Sequence, residues 1–360
     1  MNEHRPRDRT ATSPLRQALR ITLSAIAVII LIGWVLPAVT GTSWPSIATS
    51  LSRISMPYLI ALFVLELCVI LTYAVAVQVV VPGLRYWHGL LTHTTSTAIS
   101  NSVPFGSALS LGALYAMLRS YGFSRSTIAL AVALTSLADT VVKLALPVVG
   151  LAALALAGQA VPRGVAWAAL SAAVLGALVL GTVIAVACSA RALSALTTSL
   201  QDTVHRVFAL MGRSSTPDLV TPALSLRQRA TTIMRRGWHR LILPATGVRV
   251  IQFIMFVVCL RAVGEDIGLA AAFATFALGR LLAMVPLTPS GIGITETGTA
   301  AALVTLGADP TAAVSAVLLL TLATTVLQVP IGAVTGGIWW VRRHHIHPYG
   351  DDISTPGASS

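Results

Sequence analysis

Eight long apolar segments constrain this chain more than any other feature of its sequence. Each approaches or exceeds the roughly 20 residues that an α-helix needs to cross the hydrocarbon core of a bilayer. They are Ile21–Val39, Pro57–Val81, His93–Leu118, Thr127–Ala157, Gly164–Ser189, Leu241–Leu260, Ile267–Leu306 and Thr311–Val341. Hydrophobic residues make up 55% of the 360 and charged residues only 10%, whereas about a quarter of a soluble domain is charged. The sequence therefore predicts an all-α, polytopic membrane protein without room for a soluble catalytic domain.

Two of the segments contain helix-breaking residues near their middle. The third includes the run Asn101-Ser-Val-Pro104-Phe-Gly106, and the seventh includes Pro286-Leu-Thr-Pro289-Ser290-Gly291-Ile-Gly293. Proline removes a backbone donor and glycine loosens a helix, so neither segment is expected to form one straight helix.

The positions of the arginines predict the topology, because basic loops stay in the cytoplasm. Arginines crowd the tail 1–20 and the loop 189–240. If all eight segments crossed the membrane, that loop would lie outside. It lies inside if the third segment re-enters the membrane as a hairpin. A seventh segment that re-enters from the outside then brings the tail 342–360 into the cytoplasm as well. The charges therefore predict six full spans, two re-entrant hairpins and both termini in the cytoplasm. Use of arginine almost without lysine indicates a bacterium, so we expect a bacterial plasma membrane.

The two interrupted segments resemble copies of each other. Pro104-x-Gly106 is followed by Gly122 after the same interval that separates Pro289-x-Gly291 from Gly307. The spacing from Pro104 to Pro289, which we call the repeat interval, also superposes Leu137-Ala138 on Leu322-Ala323. We therefore divide the membrane domain, 21–341, into repeat A at about 57–157, the basic loop, and repeat B at about 241–341. The predicted topology gives the repeats opposite orientations, a plan common in transporters. The alternative is a chance alignment of helices rich in small residues.

Six ionisable side chains lie inside the predicted membrane segments: Glu66, Asp139, Lys143, Arg249, Arg280 and Glu296. Each costs roughly 2.5–3.5 kcal/mol at the bilayer centre and so needs a partner, an aqueous cavity or a function. One interpretation is structural, with buried ion pairs Asp139–Lys143 and Glu66–Arg249. For Arg280 and Glu296 we favour a function, because they border the break in the seventh segment.

A broken helix also has a chemical use. Its unwound backbone and the following half-helix present free amide donors, which attract an anion such as a lipid phosphate. Arg280 and the hydroxyls of Thr288, Ser290 and Thr295 would add to that site. Glu296 follows the break and has three candidate roles: it caps the next helix, meets a cationic headgroup or carries a proton.

Other function classes receive little support. The formal net charge of +12 is explained by cytoplasmic loops, so we expect no nucleic-acid partner. Cys68, Cys188 and Cys259 are far apart within apolar stretches and are interpreted as small hydrophobic residues. The sequence predicts no cofactor and no metal site.

The residues around the breaks also carry a family resemblance. The run 279–296, which begins Gly279-Arg280 and ends Ile-Thr295-Glu296, resembles the signature of the lysylphosphatidylglycerol synthase transmembrane, or flippase-like, family. The run 101–106 and the later Tyr121-Gly122-Phe-Ser are similar to its first motif. The resemblance covers about 57–341. Family members include the membrane half of the multiple peptide resistance factor, which moves aminoacylated phosphatidylglycerol between leaflets.

The resemblance implies that Arg280, Pro289, Gly291, Gly293 and Glu296 line the functional site. Three departures limit it. Ser290 stands where the family usually has glycine, and the basic residue that the family often has shortly before Asp139 is absent. The soluble aminoacyl-transferase half is also missing from this sequence. We therefore expect no synthesis of the lipid and no enzymatic activity.

The sequence as a whole predicts a flippase-like transporter that moves a charged lipid, either anionic or aminoacylated, between leaflets. The expected partners are membrane lipids, the anionic inner leaflet through the basic loop, and a second copy of the chain. The alternatives are a membrane component of glycosyltransferase-associated envelope synthesis and a scaffold without transport. The residues expected to bind or conduct the lipid are Glu66, Asn101, Pro104, Gly106, Asp139, Lys143, Arg249, Arg280, Pro289, Ser290, Gly291, Gly293, Thr295 and Glu296.

Overall fold

The structure, a computed structural model, describes residues 30–81, 83–102, 106–158, 220–284 and 293–342, with scattered positions between 164 and 182. Both predicted tails, apart from Arg342, and residues 189–219 of the basic loop lie outside these ranges. Every regular element within them is a helix. The helices are α1 (Leu36–Thr40), α2 (Trp44–Ser52), α3 (Met56–Val80), α4 (Tyr86–Ser102), α5 (Gly106–Ser120), α6 (Arg125–Leu156), α7 (Val220–Ala262), α8 (Leu269–Leu282), α9 (Ile294–Thr305), α10 (Pro310–Thr321) and α11 (Gln328–Arg342). A π-helical turn precedes α1 at Leu31–Val35, and another, Leu322–Val326, joins α10 to α11.

Four helical stretches in the described chain are long and apolar enough to cross a membrane. They are Met56–Val80, Arg125–Leu156, His239–Ala262 and Pro310–Arg342. Their outer faces are apolar as well: on α3, Leu59, Ile60 and Phe63 are all exposed. A helix that is hydrophobic all round requires an apolar surrounding on every side, which lipid provides. The prediction of an all-helical, multi-pass membrane protein is therefore confirmed.

Each interrupted segment forms two helices that pack against each other. The third segment becomes α4 and α5, and the seventh becomes α8 and α9. Contact within the second pair is close: a Cβ added to Gly279 would lie 2.5 Å from Thr299 Oγ1. We call these pairs hairpin A and hairpin B. Residues 103–105 and 285–292, at the two breaks, lie outside the described residues.

The connections after the two hairpins repeat each other in backbone detail. Gly122 follows α5 with φ +92°, and Gly307 follows α9 with φ +99°, a region open mainly to glycine. The same i+5 to i hydrogen bond closes both helix ends. It runs from the Phe123 N–H to the Leu118 carbonyl at 3.2 Å and, at the matching place in the second half, from Ala308 to Leu303 at 3.1 Å.

The helices that follow begin alike. Ser124 accepts a hydrogen bond from the Thr127 N–H at 3.2 Å at the start of α6. Asp309 accepts one from the Ala312 N–H at 2.9 Å at the start of α10. Ser124 and Asp309 are separated by the same repeat interval as Pro104 and Pro289, so the likeness seen at the breaks continues through the turn and the next cap.

Helices of each half pack against helices of the other half. Helix α3 packs along α7, the corresponding helix of the other half, and their buried side chains include Leu62, Val69, Val248, Met255 and Phe256. Helix α11 packs on α4 of hairpin A, and α6 packs on α8 of hairpin B. Each hairpin is thus supported by the long helix that follows the other hairpin, and this arrangement brings the two hairpins together.

Helix α7 differs from the prediction in where it begins. The span before hairpin B was expected to start at Leu241, but α7 is continuous from Val220 to Ala262. Its 43 residues would measure about 65 Å at 1.5 Å per residue, roughly twice the hydrocarbon thickness. The C-terminal part of the predicted basic loop, 220–240, is therefore helical and extends the span.

Candidate functional site

A polar cavity of about 310 Å³ lies between the two hairpins. Hairpin A contributes His93, Thr97 and Asn101 to its wall, and hairpin B contributes Arg280, Thr295 and Glu296. The long helices supply the remaining polar lining: Tyr73, Gln252, Thr321 and Gln328, together with Thr324 and Thr325 from the π-helical turn. Asn101, Arg280, Thr295 and Glu296, four of the residues selected from the sequence, therefore lie in one cavity.

Arg280 is the cationic side chain of the described cavity wall. It lies in the last turn of α8, and its Cζ is 5.2 Å from the centre of the Phe276 ring. The guanidinium forms no ion pair and no hydrogen bond with any residue that the structure describes, and its buried Nε lacks a hydrogen-bond partner there. An aromatic face stabilises a cation but satisfies none of its five N–H donors. Within the described chain, no carboxylate therefore neutralises Arg280.

Glu296 has a structural role in the same wall. One carboxylate oxygen accepts the Gly293 N–H at 2.5 Å, and the other accepts the Thr321 hydroxyl at 2.9 Å. Gly293 precedes α9 with φ +92°, so its amide can point back at the carboxylate. Of the three roles considered for Glu296, the helix cap is the one that the geometry shows. Arg280 and Glu296 share the cavity without forming an ion pair.

Behind the cavity, Asp139, Lys143 and Arg249 form what we call the ion cluster. Lys143 Nζ is 2.7 Å from Asp139, and Arg249 donates to the other oxygen of the same carboxylate. Arg249 also donates to Gln252 at 2.5 Å and to the Tyr73 hydroxyl at 3.2 Å, two residues of the cavity wall. The predicted Asp139–Lys143 pair is therefore present.

The interpretation that pairs Glu66 with Arg249 is wrong. Glu66 is fully buried and accepts a hydrogen bond from Gln328 Nε2 on α11, while Gln328 accepts one from Asn101 at 3.1 Å. We call Glu66, Gln328 and Asn101 the amide chain. The reason for the error is the packing: α7 packs on α6 and places Arg249 beside Asp139, whereas Glu66 contacts Gln328, the first residue of α11.

Sequence reasoning selected Asn101 and Thr295 beside the breaks but missed four other residues of the site that carry no formal charge. These are Gln328, Gln252, Tyr73 and His93, which lie away from the breaks in the sequence. His93 stacks on Tyr73 with ring centres 4.4 Å apart. A usable signal existed for one of them. Lys143 and Gln328 end the similar runs Leu-Ala-Asp-Thr-Val-Val-Lys and Leu-Ala-Thr-Thr-Val-Leu-Gln, which are separated by the repeat interval.

The other selected residues have different places. Pro104, Pro289, Ser290 and Gly291, with Thr288, lie outside the described residues. Gly106 begins α5 and packs against backbone of α4, where an added Cβ would be 2.4 Å from the Ser100 carbonyl oxygen. Within the described chain, the ion cluster and Glu66 stand behind the cavity wall and do not line it.

Comparison with known proteins gives one family. A family model described as "Lysylphosphatidylglycerol synthase TM region" matches residues 20–332, which is most of the chain. The match includes both hairpins, the ion cluster and the amide chain. A search of curated proteins finds no match.

Proposed function

Since this chain belongs to the lysylphosphatidylglycerol synthase TM region family, we propose that it is a lipid translocase. It moves a charged lipid between the leaflets of a bacterial plasma membrane and has no enzymatic activity of its own. The family is a membrane domain associated with lipid flipping, and the proposal applies that activity to the cavity between the hairpins.

One observation carries the proposal: Arg280 faces a polar cavity without an ion-pair partner in the described chain. A charged group inside a membrane is costly, and proteins keep one where it binds a substrate or an ion. The planar guanidinium holds a phosphate through two parallel hydrogen bonds. A volume of about 310 Å³ is at the lower end of the range for small-ligand sites. The cavity therefore suits a headgroup, while the acyl chains stay in the bilayer.

The repeated architecture supports movement between leaflets. Matching turns, matching caps and the exchange of contacts between halves are what an internal repeat produces. We propose that the repeats are inverted and that both hairpins are re-entrant, with six full spans and cytoplasmic termini. In transporters of this plan the substrate binds where broken helices meet, and one half rocks against the other to expose the site to each side in turn.

We also propose that the basic region 189–240 interacts with the anionic inner leaflet through those of its arginines that are near the membrane surface. Near such a surface each arginine contributes about 1 kcal/mol of attraction. Association with a second copy of the chain stays a prediction.

Leaflet exchange of labelled lipids in reconstituted vesicles tests the proposed function. We expect exchange with the natural chain and at least about tenfold slower exchange with Arg280→Lys, because lysine lacks the planar fork. The matched control is Arg261→Lys, since Arg261 is 54% exposed and forms a surface pair with Asp266 at 2.8 Å. No exchange above empty vesicles with the natural chain would contradict the translocase proposal.

Labelling of single cysteines tests the topology. In a chain whose three natural cysteines are replaced by alanine, Arg125→Cys and Asp266→Cys are both at exposed positions. A reagent that cannot cross the membrane should label Asp266→Cys in intact cells and leave Arg125→Cys unmodified until the cells are opened. Labelling of Arg125→Cys from outside would contradict the re-entrant form of hairpin A.

A further inference from the structure

We infer that the cavity takes a lipid whose headgroup is anionic and carries hydroxyls, such as a phosphate linked to a polyol, and that it discriminates against aminoacylated headgroups. This inference rests on the proposed function and names its substrate class. The charged side chains of the cavity wall differ in whether they already have partners, and this difference determines which headgroup binds.

The free charge of the wall is positive. Arg280 and Glu296 are the charged side chains among the described residues that line the cavity. Glu296 is only 4% exposed, and each of its carboxylate oxygens already accepts a hydrogen bond. It also sits at the positive end of the α9 dipole, which offsets part of its charge. The guanidinium of Arg280 contacts the Phe276 ring but pairs with no carboxylate that the structure describes, so the cavity attracts an anion.

An aminoacylated headgroup needs the opposite arrangement. Its ammonium groups require a carboxylate that is free to accept them, and Glu296 can turn towards them only by releasing the Gly293 amide and uncapping α9. The other nearby carboxylates are not available. Asp139 is held by Lys143 and Arg249, and Glu66 lies behind Gln328 with no exposed surface. An ammonium in this cavity would therefore meet Arg280 without a free counter-ion.

The rest of the wall offers hydrogen-bonding groups without charge. Thr295 Oγ1 and His93 Nε2 are buried and have no hydrogen-bond partner in the described chain. Thr97, Thr324 and Asn101 add further hydroxyl and amide groups. Buried polar atoms in native proteins are usually paired, so the unpaired atoms of Thr295 and His93 favour a polar occupant of the cavity. Hydroxyls of a polyol donate and accept, as these groups require, whereas an acyl chain does neither.

Binding of short-chain lipids to the purified full-length chain in detergent tests this inference separately from transport. The probes are dioctanoyl-phosphatidylglycerol, its lysyl ester, dioctanoyl-phosphatidic acid and inorganic phosphate, with affinities measured by calorimetry. We expect phosphatidylglycerol to bind at least about tenfold more tightly than its lysyl ester, a difference of about 1.4 kcal/mol. Arg280→Gln should abolish that preference. Inorganic phosphate should bind far more weakly than the lipid.

A second variant separates the hydroxyl contacts from the charge. Thr295→Val removes the unpaired hydroxyl while keeping the side chain's shape. The binding of phosphatidylglycerol should become several-fold weaker. The binding of phosphatidic acid, which has no glycerol headgroup, should be nearly unchanged. Thermal unfolding of each variant in the same detergent serves as the folding control. If the binding of phosphatidic acid weakens by the same factor as that of phosphatidylglycerol, the assignment of the hydroxyl contact is overturned.

The outcomes for the inference and for the proposed function are distinct. Equal or tighter binding of the lysyl ester, binding of inorganic phosphate as tight as that of the lipid, or no binding of any probe overturns the inference. Selective binding without leaflet exchange supports the inference and contradicts transport. Exchange that favours the lysyl ester upholds transport and overturns the inference.

Discussion

The ion cluster and the amide chain occupy related places in the two halves, yet they are built from different chemistry. Arg249 on α7 reaches Asp139 on α6, and Glu66 on α3 reaches Gln328 on α11. In each case the helix before one hairpin contacts the helix after the other. The first contact joins full charges, whereas the second joins a carboxyl group to an amide.

This difference shows that the packing plan does not dictate the charges. The same crossing of helices accommodates Lys143 in one half and Gln328 at the matching position of the other. Two cations share one carboxylate in the ion cluster, so each member depends on the others. The amide chain ends at Asn101 in the cavity wall and includes no cation among the described residues. We therefore expect the halves to respond differently to matched substitutions.

The largest effect is expected for Asp139→Asn. It leaves Lys143 and the 5%-exposed Arg249 side chain without their shared counter-ion, and breaking a buried pair in this way costs on the order of 3 kcal/mol. The measurement is the free energy of unfolding in mixed micelles. Asp266→Asn is the matched control, because its partner Arg261 is 54% exposed and exposed pairs contribute about 0–1 kcal/mol. Equal losses in the two variants would mean that the ion cluster is not a stabilising unit.

The next largest effect is expected where a long helix packs on a hairpin, at the contact of α11 with α4 and at that of α6 with α8. An added Cβ at Gly332 on α11 would lie 2.1 Å from Ala98 Cβ and 2.4 Å from the Thr94 carbonyl oxygen. Gly332→Ala should therefore destabilise by about 1–3 kcal/mol through overpacking. At Gly150, where α6 meets α8, the nearest atom is Ala274 Cα at 3.0 Å, so Gly150→Ala should cost less.

Gly337→Ala is the control on α11 itself. Nothing lies within 4 Å of a Cβ there, and alanine favours helix by up to about 1 kcal/mol over glycine. Stability should rise or stay the same. A Gly332→Ala variant as stable as Gly337→Ala would show that α4 and α11 do not pack as closely as described.

A smaller effect is expected for Glu66→Gln. The amide oxygen of glutamine can still accept the hydrogen bond from Gln328, and no cation in the described chain loses a partner. The loss should stay below about 1 kcal/mol, the size of an ordinary hydrogen bond. A loss as large as that of Asp139→Asn would abolish the contrast between the two halves.

The smallest effect is expected for Glu296→Gln. Its carbonyl oxygen can still accept the Gly293 N–H, and its NH2 group can donate to the Thr321 hydroxyl oxygen in place of the bond that Thr321 now donates. The main loss is the interaction between charge and helix dipole, worth about 0.3–1 kcal/mol. Lipid exchange should stay close to that of the natural chain. A stable variant that no longer exchanges lipid would give Glu296 a role beyond the cap.

Local sequence rules predicted the elements well because those elements depend on nearby residues. Long apolar runs form the spans. The Pro-Gly clusters separate α4 from α5 and α8 from α9, because proline lacks a backbone N–H and glycine loosens a helix. Asp139 and Lys143 pair because they stand at i and i+4 on one helix. The likeness of Gly122 and Gly307 was visible for the same reason: each turn needs a glycine with positive φ.

Partners across the fold were harder to predict. Whether Arg249 meets Glu66 or Asp139 depends on how α7 rotates between α3 and α6, and no local pattern contains that angle. Neutral residues such as Gln328 and His93 belong to the site because of where the fold places them. Their residue types alone do not reveal that position. The sequence also left Glu296 with several roles, and the hydrogen bonds from Gly293 and Thr321 favour one of them.

Photo-crosslinking with a phosphatidylglycerol that carries a diazirine in its headgroup shows directly whether that headgroup binds between the two hairpins. We expect crosslinks on peptides from α8 and α9 and on the Asn101 end of α4, with a large loss in Arg280→Gln and little change in Arg261→Gln. Crosslinks confined to lipid-facing positions such as Leu59 and Phe63 on α3, and unchanged in Arg280→Gln, would contradict binding at that place.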